Sequence, residues 1–348
     1  LQLVEAFTQY DDMGTCWLDI AKVGLRNVPA YENFLGPPCV GKGKILESTT
    51  PAHNKKVYQE LHYDGLRWVS LYGGDRARRG EKLVLWSAIA SGNYVYLMEY
   101  NFTDDGRIVT RLGFTAHNYF DREKLPKRRT PYGFRKGDKD VHPHIGCWRF
   151  DFDLRDPKNM QSGPEANDIK LVQRMFDETK KEFYLDARPF PGDDKAKQQG
   201  EAREGKAKWI AKHFTMLRAQ STAVKNTRGQ PIAYDLISLR TGTAADLQPF
   251  HQAAGTKMDF VNYDFWVTRT PVAFKHYYEL PDFMKNAPIA NQATTVWHSV
   301  AGLHVPRDED FGPDGLDAER GAALTEWISF TLRPRNLFDG TPFYGSKK

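Results

Sequence analysis

Short segments with the composition of β-strands recur along almost the whole 348-residue chain, and they constrain its fold more than any other feature. β-Branched and aromatic side chains, which favour a pleated sheet, dominate these segments. The segments are 82–90, 93–102, 107–115, 141–154, 231–239, 259–268, 294–304 and 326–332. Since helical patterns do not alternate with them, the sequence predicts one large antiparallel β-sandwich rather than a βαβ fold.

The middle of the chain has a different composition. Residues 157–215 are rich in Lys, Glu, Asp and Gln, and the part 169–183 could form an amphipathic helix or belong to an extended arm. We therefore expect a single domain over 1–348, with 157–215 as a charged insertion or a dimerisation arm within it.

Composition excludes several classes of protein. The net charge of +5 is small for this length, and the basic runs 124–129 and 195–208 lack interleaved aromatic residues, so no nucleic-acid site is expected. No apolar run reaches the roughly 18 residues that a membrane span needs. No signal peptide is visible and the chain begins at Leu1, so the sequence leaves the compartment open. The three cysteines form no C-x-x-C pair, which argues against a zinc ribbon.

Histidines indicate a possible metal site. His142 and His144 lie two residues apart on a strand-like segment, so their side chains should share one face about 6–7 Å apart. Imidazole nitrogen suits copper, zinc and iron. His304 lies on another predicted strand that could deliver a third imidazole, but His298 has the same parity on that strand and stays an alternative. All of these histidines could instead be structural or surface residues.

Several segments, taken in order, resemble the catalytic domain of the copper amine oxidases. They are 83–100 (LVLWSAIASGNYVYLMEY), 141–153 (VHPHIGCWRFDFD), 224–234 (VKNTRGQPIAY), 265–269 (FWVTR), 296–311 (VWHSVAGLHVPRDEDF) and 332–341 (LRPRNLFDGT). The resemblance implies a β-sandwich with copper held by His142, His144 and His304. It also implies that Tyr94, preceded by the matching Asn93, is the tyrosine that becomes the quinone cofactor topaquinone.

The resemblance has two further implications. Asp151 and Asp153 fall on two ligands of a peripheral calcium site, although they could equally form a solvent-facing strand edge. Family members are homodimers that embrace each other with long hairpin arms, for which 157–215 is the candidate here.

The sequence departs from the family pattern near the cofactor. Ala90 replaces the family's Thr, and Val95 replaces the acidic residue after the tyrosine. Gln9 stands at the position of the family's catalytic Asp, and a carboxamide cannot take a proton from a substrate carbon near neutral pH. Asp11 or Asp12 could substitute, or could be solvated turn residues.

Two functional hypotheses follow from the resemblance and these departures. The first is oxidative deamination of a primary amine by O2 to an aldehyde, ammonia and hydrogen peroxide through a quinone formed at Tyr94. The alternative is a divergent protein that keeps the three-histidine metal site and leaves Tyr94 unmodified. Such a protein would oxidise another small molecule such as an aromatic compound, perform non-redox chemistry, or only bind copper.

Overall fold

The computed structural model describes most of the strand-forming part of the chain. The described residues are 1–9, 17–19, 26–27, 43–47, 56–69, 77–91, 94–116, 129–130, 133–134, 142–156, 165–239, 263–270, 280–304, 325–340 and 342. Within them the fold is mainly antiparallel β-structure, as the sequence predicts.

Nineteen strands and a few short helical turns make up the described elements. The strands in the first half are β1 (Gln2–Gln9), β2 (Trp17–Asp19), β3 (Arg26–Asn27), β4 (Lys44–Glu47), β5 (Lys56–Val69), β6 (Ala77–Ser91), β7 (Tyr94–Thr103), β8 (Ile108–Ala116), β9 (Arg129–Thr130) and β10 (Gly133–Phe134). Those in the second half are β11 (His142–Asp151), β12 (Asn167–Asp177), β13 (Glu182–Pro189), β14 (Gly205–Ala207), β15 (Met216–Lys225), β16 (Pro231–Leu239), β17 (Phe265–Arg269), β18 (Thr294–His304) and β19 (Glu326–Arg335). The helices are α1 (Asp194–Gln199), α2 (Leu280–Phe283) and a 3-10 turn at Ala211–His213.

Most of the described strands belong to two large sheets. The smaller has the strand order β14-β17-β18-β11-β1-β2. The larger runs β13-β12-β15-β16-β19-β8-β7-β6-β5-β4, with β3 added beside β6. A separate two-stranded ribbon pairs β9 with β10. Neighbouring strands along β5–β8 follow one another in sequence, and a turn at 103–106 connects β7 to β8 with Gly106 at φ 78°.

The inner faces of the two sheets share one hydrophobic core. Trp148 and Phe150 of the smaller sheet each place their ring 5.0 Å from that of Phe330 in the larger sheet. Phe265 and Ile328 are also buried in this core. Burial of such side chains contributes roughly 1.5–3 kcal/mol each. The result is the sandwich that the alternating segments predict.

The charged middle segment is described from residue 165 onward. Its described part begins with the β12–β13 hairpin, so the helical alternative for 169–183 is wrong and the segment is extended. The role of this hairpin as a dimerisation arm stays a prediction. Side chains on β12 alternate between two faces, which explains why the segment forms a strand. Ile169 and Leu171 are buried on one face, while Asp168 and Lys170 are partly exposed on the other. Helix α1 follows, with the Asp193 side chain accepting from the Ala196 N–H at 2.8 Å.

Two remaining features concern membranes and thiols. None of the helices in the described residues is long and apolar enough to cross a membrane. Cys147 is a buried cysteine on β11, whereas Cys16 and Cys39 lie outside the described residues.

Candidate metal centre

Strand register brings the predicted histidines to one place. β11 and β18 pair antiparallel over their full length, with His142 directly opposite His304 and His144 opposite Gly302. Residues that face each other across such a pair lie about 5 Å apart and belong to the same face of the sheet. Two segments far apart in sequence therefore meet at the position where the sequence predicts a shared site.

The His144 and His304 imidazoles lie close together in the protein interior. Both side chains are buried, and their ring centroids are 6.2 Å apart. Phe114, from the opposing sheet, stacks on His144 with centroids 4.0 Å apart. The two imidazoles thus lie together in the interior, and an aromatic ring packs against one of them.

Tyr94 lies against both imidazoles. Its hydroxyl is 2.7 Å from Nδ1 of His304, and its ring centroid is 4.6 Å from that of His144. The tyrosine comes from β7 in the larger sheet, and its side chain is buried. The contact is across the sandwich, so it depends on how the two sheets pack.

Tyr96 is a site residue that the sequence analysis did not single out. Its hydroxyl is 3.1 Å from Nδ1 of His144, and both side chains are buried. A hydrogen bond to one imidazole nitrogen fixes the ring orientation of a potential metal ligand. Residue spacing could have indicated Tyr96, because it follows Tyr94 by two residues on a strand and its side chain therefore lies on the same face of the sheet.

His298, the competing candidate, occupies a different part of β18. It is six residues before His304, which corresponds to about 20 Å along a strand. Its Nδ1 is 2.7 Å from the backbone oxygen of Asp264, and its ring stacks on Phe265. The structure places His298 in the hydrophobic core, away from the imidazole pair.

The donor set fits an ion that prefers imidazole. Two buried imidazoles lie near each other, and the backbone of His142 is opposite that of His304, although the His142 side chain lies outside the described residues. Within the described part no group of three His, Cys, Asp or Glu side chains could hold a metal ion, so the site as described is incomplete without His142. Copper, zinc and iron all accept imidazole ligands.

A comparison with protein families shows which family the chain belongs to. A family model described as "Copper amine oxidase, enzyme domain" matches residues 67–348, which include all three histidines and Tyr94. The chain belongs to the copper amine oxidase family.

Curated relatives agree with the family match. The chain is 25% identical over 314 residues to the primary amine oxidase of Klebsiella aerogenes, covering 78% of this chain and 36% of the relative. It is 24% identical over 294 residues to the histamine oxidase of Arthrobacter globiformis, covering 78% and 38%. The chain thus spans little more than a third of the length of these copper amine oxidases.

Solved structures show the same fold. The copper-containing benzylamine oxidase from Hansenula polymorpha superposes with a TM-score of 0.66 at 16% identity, covering 98% of this chain and 55% of that one. The Pichia pastoris lysyl oxidase gives a TM-score of 0.66 at 15% identity, covering 99% and 48%. The predicted antiparallel sandwich of the copper amine oxidase catalytic domain is confirmed.

Other positions suggested by the family resemblance are less completely described. Asn93, Asp11 and Asp12 lie outside the described residues. Gln9 ends β1, one residue beyond Thr8, whose backbone pairs with His144, but the Gln9 side chain is outside the described part. The role of these four residues in this copper amine oxidase domain stays a prediction.

The two candidate calcium ligands carry arginine partners. Asp151 lies 3.0 Å from Nε of Arg149 and also accepts from the Thr295 hydroxyl. Asp153 lies 2.6 Å from Arg155, and the hydrogen bond from this arginine lowers the pKa of the Asp153 carboxyl. These contacts favour the solvent-facing strand edge. Calcium binding by this copper amine oxidase domain remains an untested prediction.

Proposed function

We propose that this domain oxidises a small primary amine with O2, using a copper ion held by His142, His144 and His304 and a quinone derived from Tyr94. The observation that supports the proposal best is the contact of the Tyr94 hydroxyl with His304 Nδ1 at 2.7 Å, beside the His144 ring. In the family the bound copper and the quinone supply the oxygen activation and the two-electron oxidation of the amine.

The chain's own residues would prepare Tyr94 for that chemistry. Packing against His144 holds the Tyr94 ring in one orientation, and the pair with His304 gives its hydroxyl proton a neighbouring imidazole nitrogen. Burial in an apolar surrounding strengthens such a polar contact and limits access of water. These features favour a phenol positioned for modification rather than a core tyrosine that only fills space.

The second candidate function is copper chemistry without the quinone. It is supported by Val95 and Gln9, which stand where the family has carboxylic acids. A missing proton-transfer group typically removes about 10²- to 10⁴-fold in rate. If neither Asp11 nor Asp12 takes over proton removal, amine turnover should be slow even with copper bound.

The first experiment asks whether Tyr94 is modified. Purified protein is loaded with copper in air, and the peptide containing Tyr94 is analysed by mass spectrometry. Conversion to topaquinone adds two oxygen atoms and removes two hydrogen atoms, a gain of about 30 Da. Phenylhydrazine should then give a visible absorbance band, and the Tyr94→Phe variant should give neither signal. An unmodified Tyr94 peptide at full copper occupancy would reject the quinone and leave the second candidate.

The second experiment separates copper binding from catalysis. We expect one copper per chain in the wild type and loss of that copper in His304→Ala. The matched control is His213→Ala, which removes an imidazole on the 3-10 turn away from the site. Wild-type protein with no stoichiometric copper would contradict both candidates.

The third experiment tests turnover and substrate. Peroxide release is measured with benzylamine and histamine, since related proteins are named as a benzylamine oxidase and a histamine oxidase. We expect release with at least one of these amines if Tyr94 is converted. A converted Tyr94 without peroxide release would indicate that the missing acids prevent turnover.

A further inference from the structure

The outer face of the larger sheet carries a second cleft, separate from the metal centre. Its volume is about 280 Å³. Side chains on β7 alternate, so Leu97, Glu99 and Asn101 point away from the face that carries Tyr94 and Tyr96. The described residues that line the cleft are Glu60, His62, Lys82, Val84, Trp86, Leu97, Glu99, Asn101, Arg111 and Trp327.

Cross-strand register aligns these side chains in rows. Trp86 is directly opposite Glu99, which is directly opposite Arg111. In the next row, Val84 lies between Glu60 and Asn101. Because each row runs across three paired strands, the polar groups are held by the sheet itself rather than by a loop.

Glu60 and Trp86 form the first wall. The Glu60 side chain is largely buried, and Oε1 accepts from the indole Nε1 of Trp86 at 3.0 Å. Its Oε2 lies 2.5 Å from Nε2 of His62. Tyr58 stacks on one face of Trp86 with centroids 4.0 Å apart, which fixes the indole plane. The carboxylate is therefore held in a single orientation at the cleft.

Glu99, Arg111 and Trp327 form the opposite wall. Glu99 Oε1 accepts from Arg111 at 3.0 Å and from the Asn101 amide at 2.6 Å. The Arg111 guanidinium lies 3.9 Å above the centre of the Trp327 ring. Trp327 itself lies over Gly113, where a Cβ would come within 2.9 Å of the indole. A glycine at this position lets the tryptophan pack flat on the sheet.

Asn101 carries an acceptor that the described residues do not satisfy. Its side chain is 3% exposed, and its Oδ1 has no hydrogen-bond partner in the part of the chain that the structure describes. A buried acceptor without a donor is destabilising by about as much as a lost hydrogen bond. Because Asn101 is also one of the residues that line the cleft, a small movement of its side chain would present this acceptor to a ligand's donor.

Charge and polarity of the cleft narrow the class of ligand. Glu60 and Glu99 are balanced by Lys82 and Arg111, so a charged ligand would face like charge from one of the two pairs. Acceptors and fixed donors alternate around an apolar floor formed by Val84 and Leu97. Ligand sites commonly combine such an apolar surface with a few oriented polar groups.

We propose that this cleft binds a neutral polyhydroxylated compound, such as one sugar ring. Hydroxyl groups would donate to Asn101 Oδ1 and Glu60 and accept from Arg111, and the C–H face of the ring would pack on Val84 and Leu97. The site lies on the opposite face of the sheet from Tyr94 and does not depend on the function proposed above.

Ligand-observed NMR on the intact chain tests the proposal. Saturation transfer is measured to D-glucose, D-galactose and N-acetylglucosamine, with n-butylamine and acetate as charged comparisons. We expect transfer to at least one sugar with a dissociation constant of about 1–10 mM, which is ordinary for a ligand of this size. Transfer to the amine or acetate alone would overturn the proposed ligand class, and no transfer to any sugar would mean that only water fills the cleft.

Two variants test whether the sugar binds in this cleft. Asn101→Ala removes the buried acceptor, and Leu97→Trp fills the apolar floor. We expect each to weaken sugar binding about tenfold or more. The control is Lys170→Ala on β12 of the same sheet, away from the cleft. Thermal denaturation identifies a variant that fails to fold, in which case the other variant decides. Unchanged binding in a folded Leu97→Trp would overturn the proposal.

Discussion

Two tyrosines from one strand contact two histidines from the opposing sheet. Tyr94 reaches Nδ1 of His304, and Tyr96 reaches Nδ1 of His144. Such partners fix the orientation of an imidazole before a metal binds, and removing one typically costs 10- to 100-fold in metal affinity. At the scale of single residues, the candidate site therefore extends beyond the three histidines to the hydroxyl of Tyr96.

The first prediction concerns that hydroxyl. Tyr96→Phe should weaken copper binding by about tenfold or more, because His144 loses the group that orients its ring. Affinity is measured by competition with a chelator. Tyr100→Phe, on the same strand, is the control and should leave copper affinity unchanged, since its hydroxyl contacts Met98 Sδ at 3.6 Å. Equal affinities of wild type and Tyr96→Phe would contradict a positioning role.

The second prediction concerns Gly302, which lies directly opposite His144. A Cβ at this position would overlap Ile328 from the opposing sheet. Gly302→Ala should therefore destabilise the domain by about 1–3 kcal/mol, since overpacking a close-packed core forces neighbours to shift. Urea denaturation measures the change. Gly340→Ala serves as the control, because no atom of the described residues lies within 4 Å of its added Cβ. Similar unfolding free energies in both variants would show that the two sheets can separate locally without cost.

At the scale of elements, one buried carboxylate joins three segments near β17. Glu204 accepts from the backbone N–H of Arg269 at 3.0 Å, of Lys285 at 3.0 Å and of Ala287 at 3.2 Å. The loop between α1 and β14 is thereby tied to the end of β17 and to the chain leading into β18. These bonds help to hold the short edge strands next to the strand that carries His304.

The third prediction follows from this junction. Glu204→Gln should lower the unfolding free energy by about 1–3 kcal/mol, because an amide nitrogen replaces an oxygen that accepts buried N–H groups. The change is measured by urea denaturation. Glu201→Gln, at a partly exposed position in the same loop, should change stability by about 0.5 kcal/mol or less. A Glu204→Gln variant as stable as wild type would show that the junction contributes little.

At the scale of the whole molecule, the β12–β13 hairpin exposes a cluster of large apolar side chains. Phe183 is 59% exposed and Leu185 51% exposed, and Phe176 and Tyr184 lie beside them. The Arg174 guanidinium sits 3.5 Å above the Phe183 ring. Exposed apolar clusters of this kind often mark interaction surfaces. They support the expectation that this hairpin is an arm contacting a second copy of the chain.

The fourth prediction is therefore a homodimer that depends on the hairpin. Light scattering should give twice the chain mass for the wild type. Phe183→Ser with Leu185→Ser should shift the mass towards the monomer, because the apolar contact area is lost. Lys181→Ser, at the exposed turn of the same hairpin, should leave the dimer intact. A monomeric wild type would contradict the arm assignment.

The sequence by itself determined the fold class and most strand positions. The alternation of apolar and polar residues and a high content of β-branched residues favour a strand within a single segment. Segments such as 107–115 and 294–304 therefore predict strands whichever strands they pair with. Composition did not decide between a helix and an extended conformation for 169–183, since the same charged residues suit either. The β12–β13 pairing decided it, because both strands gain ladder partners and β12 buries one face.

Only the tertiary structure decided which side chains form the site. Sequence parity left His298 and His304 equivalent, and the register of β18 against β11 separated them. The contacts of Tyr94 and Tyr96 with the histidines cross from one sheet to the other, and no local pattern encodes how two sheets pack. Sheet packing and register are set by many distant contacts at once. Residue spacing could therefore suggest candidate histidines, but it could not show which of them lie together or which hydrogen bonds surround them.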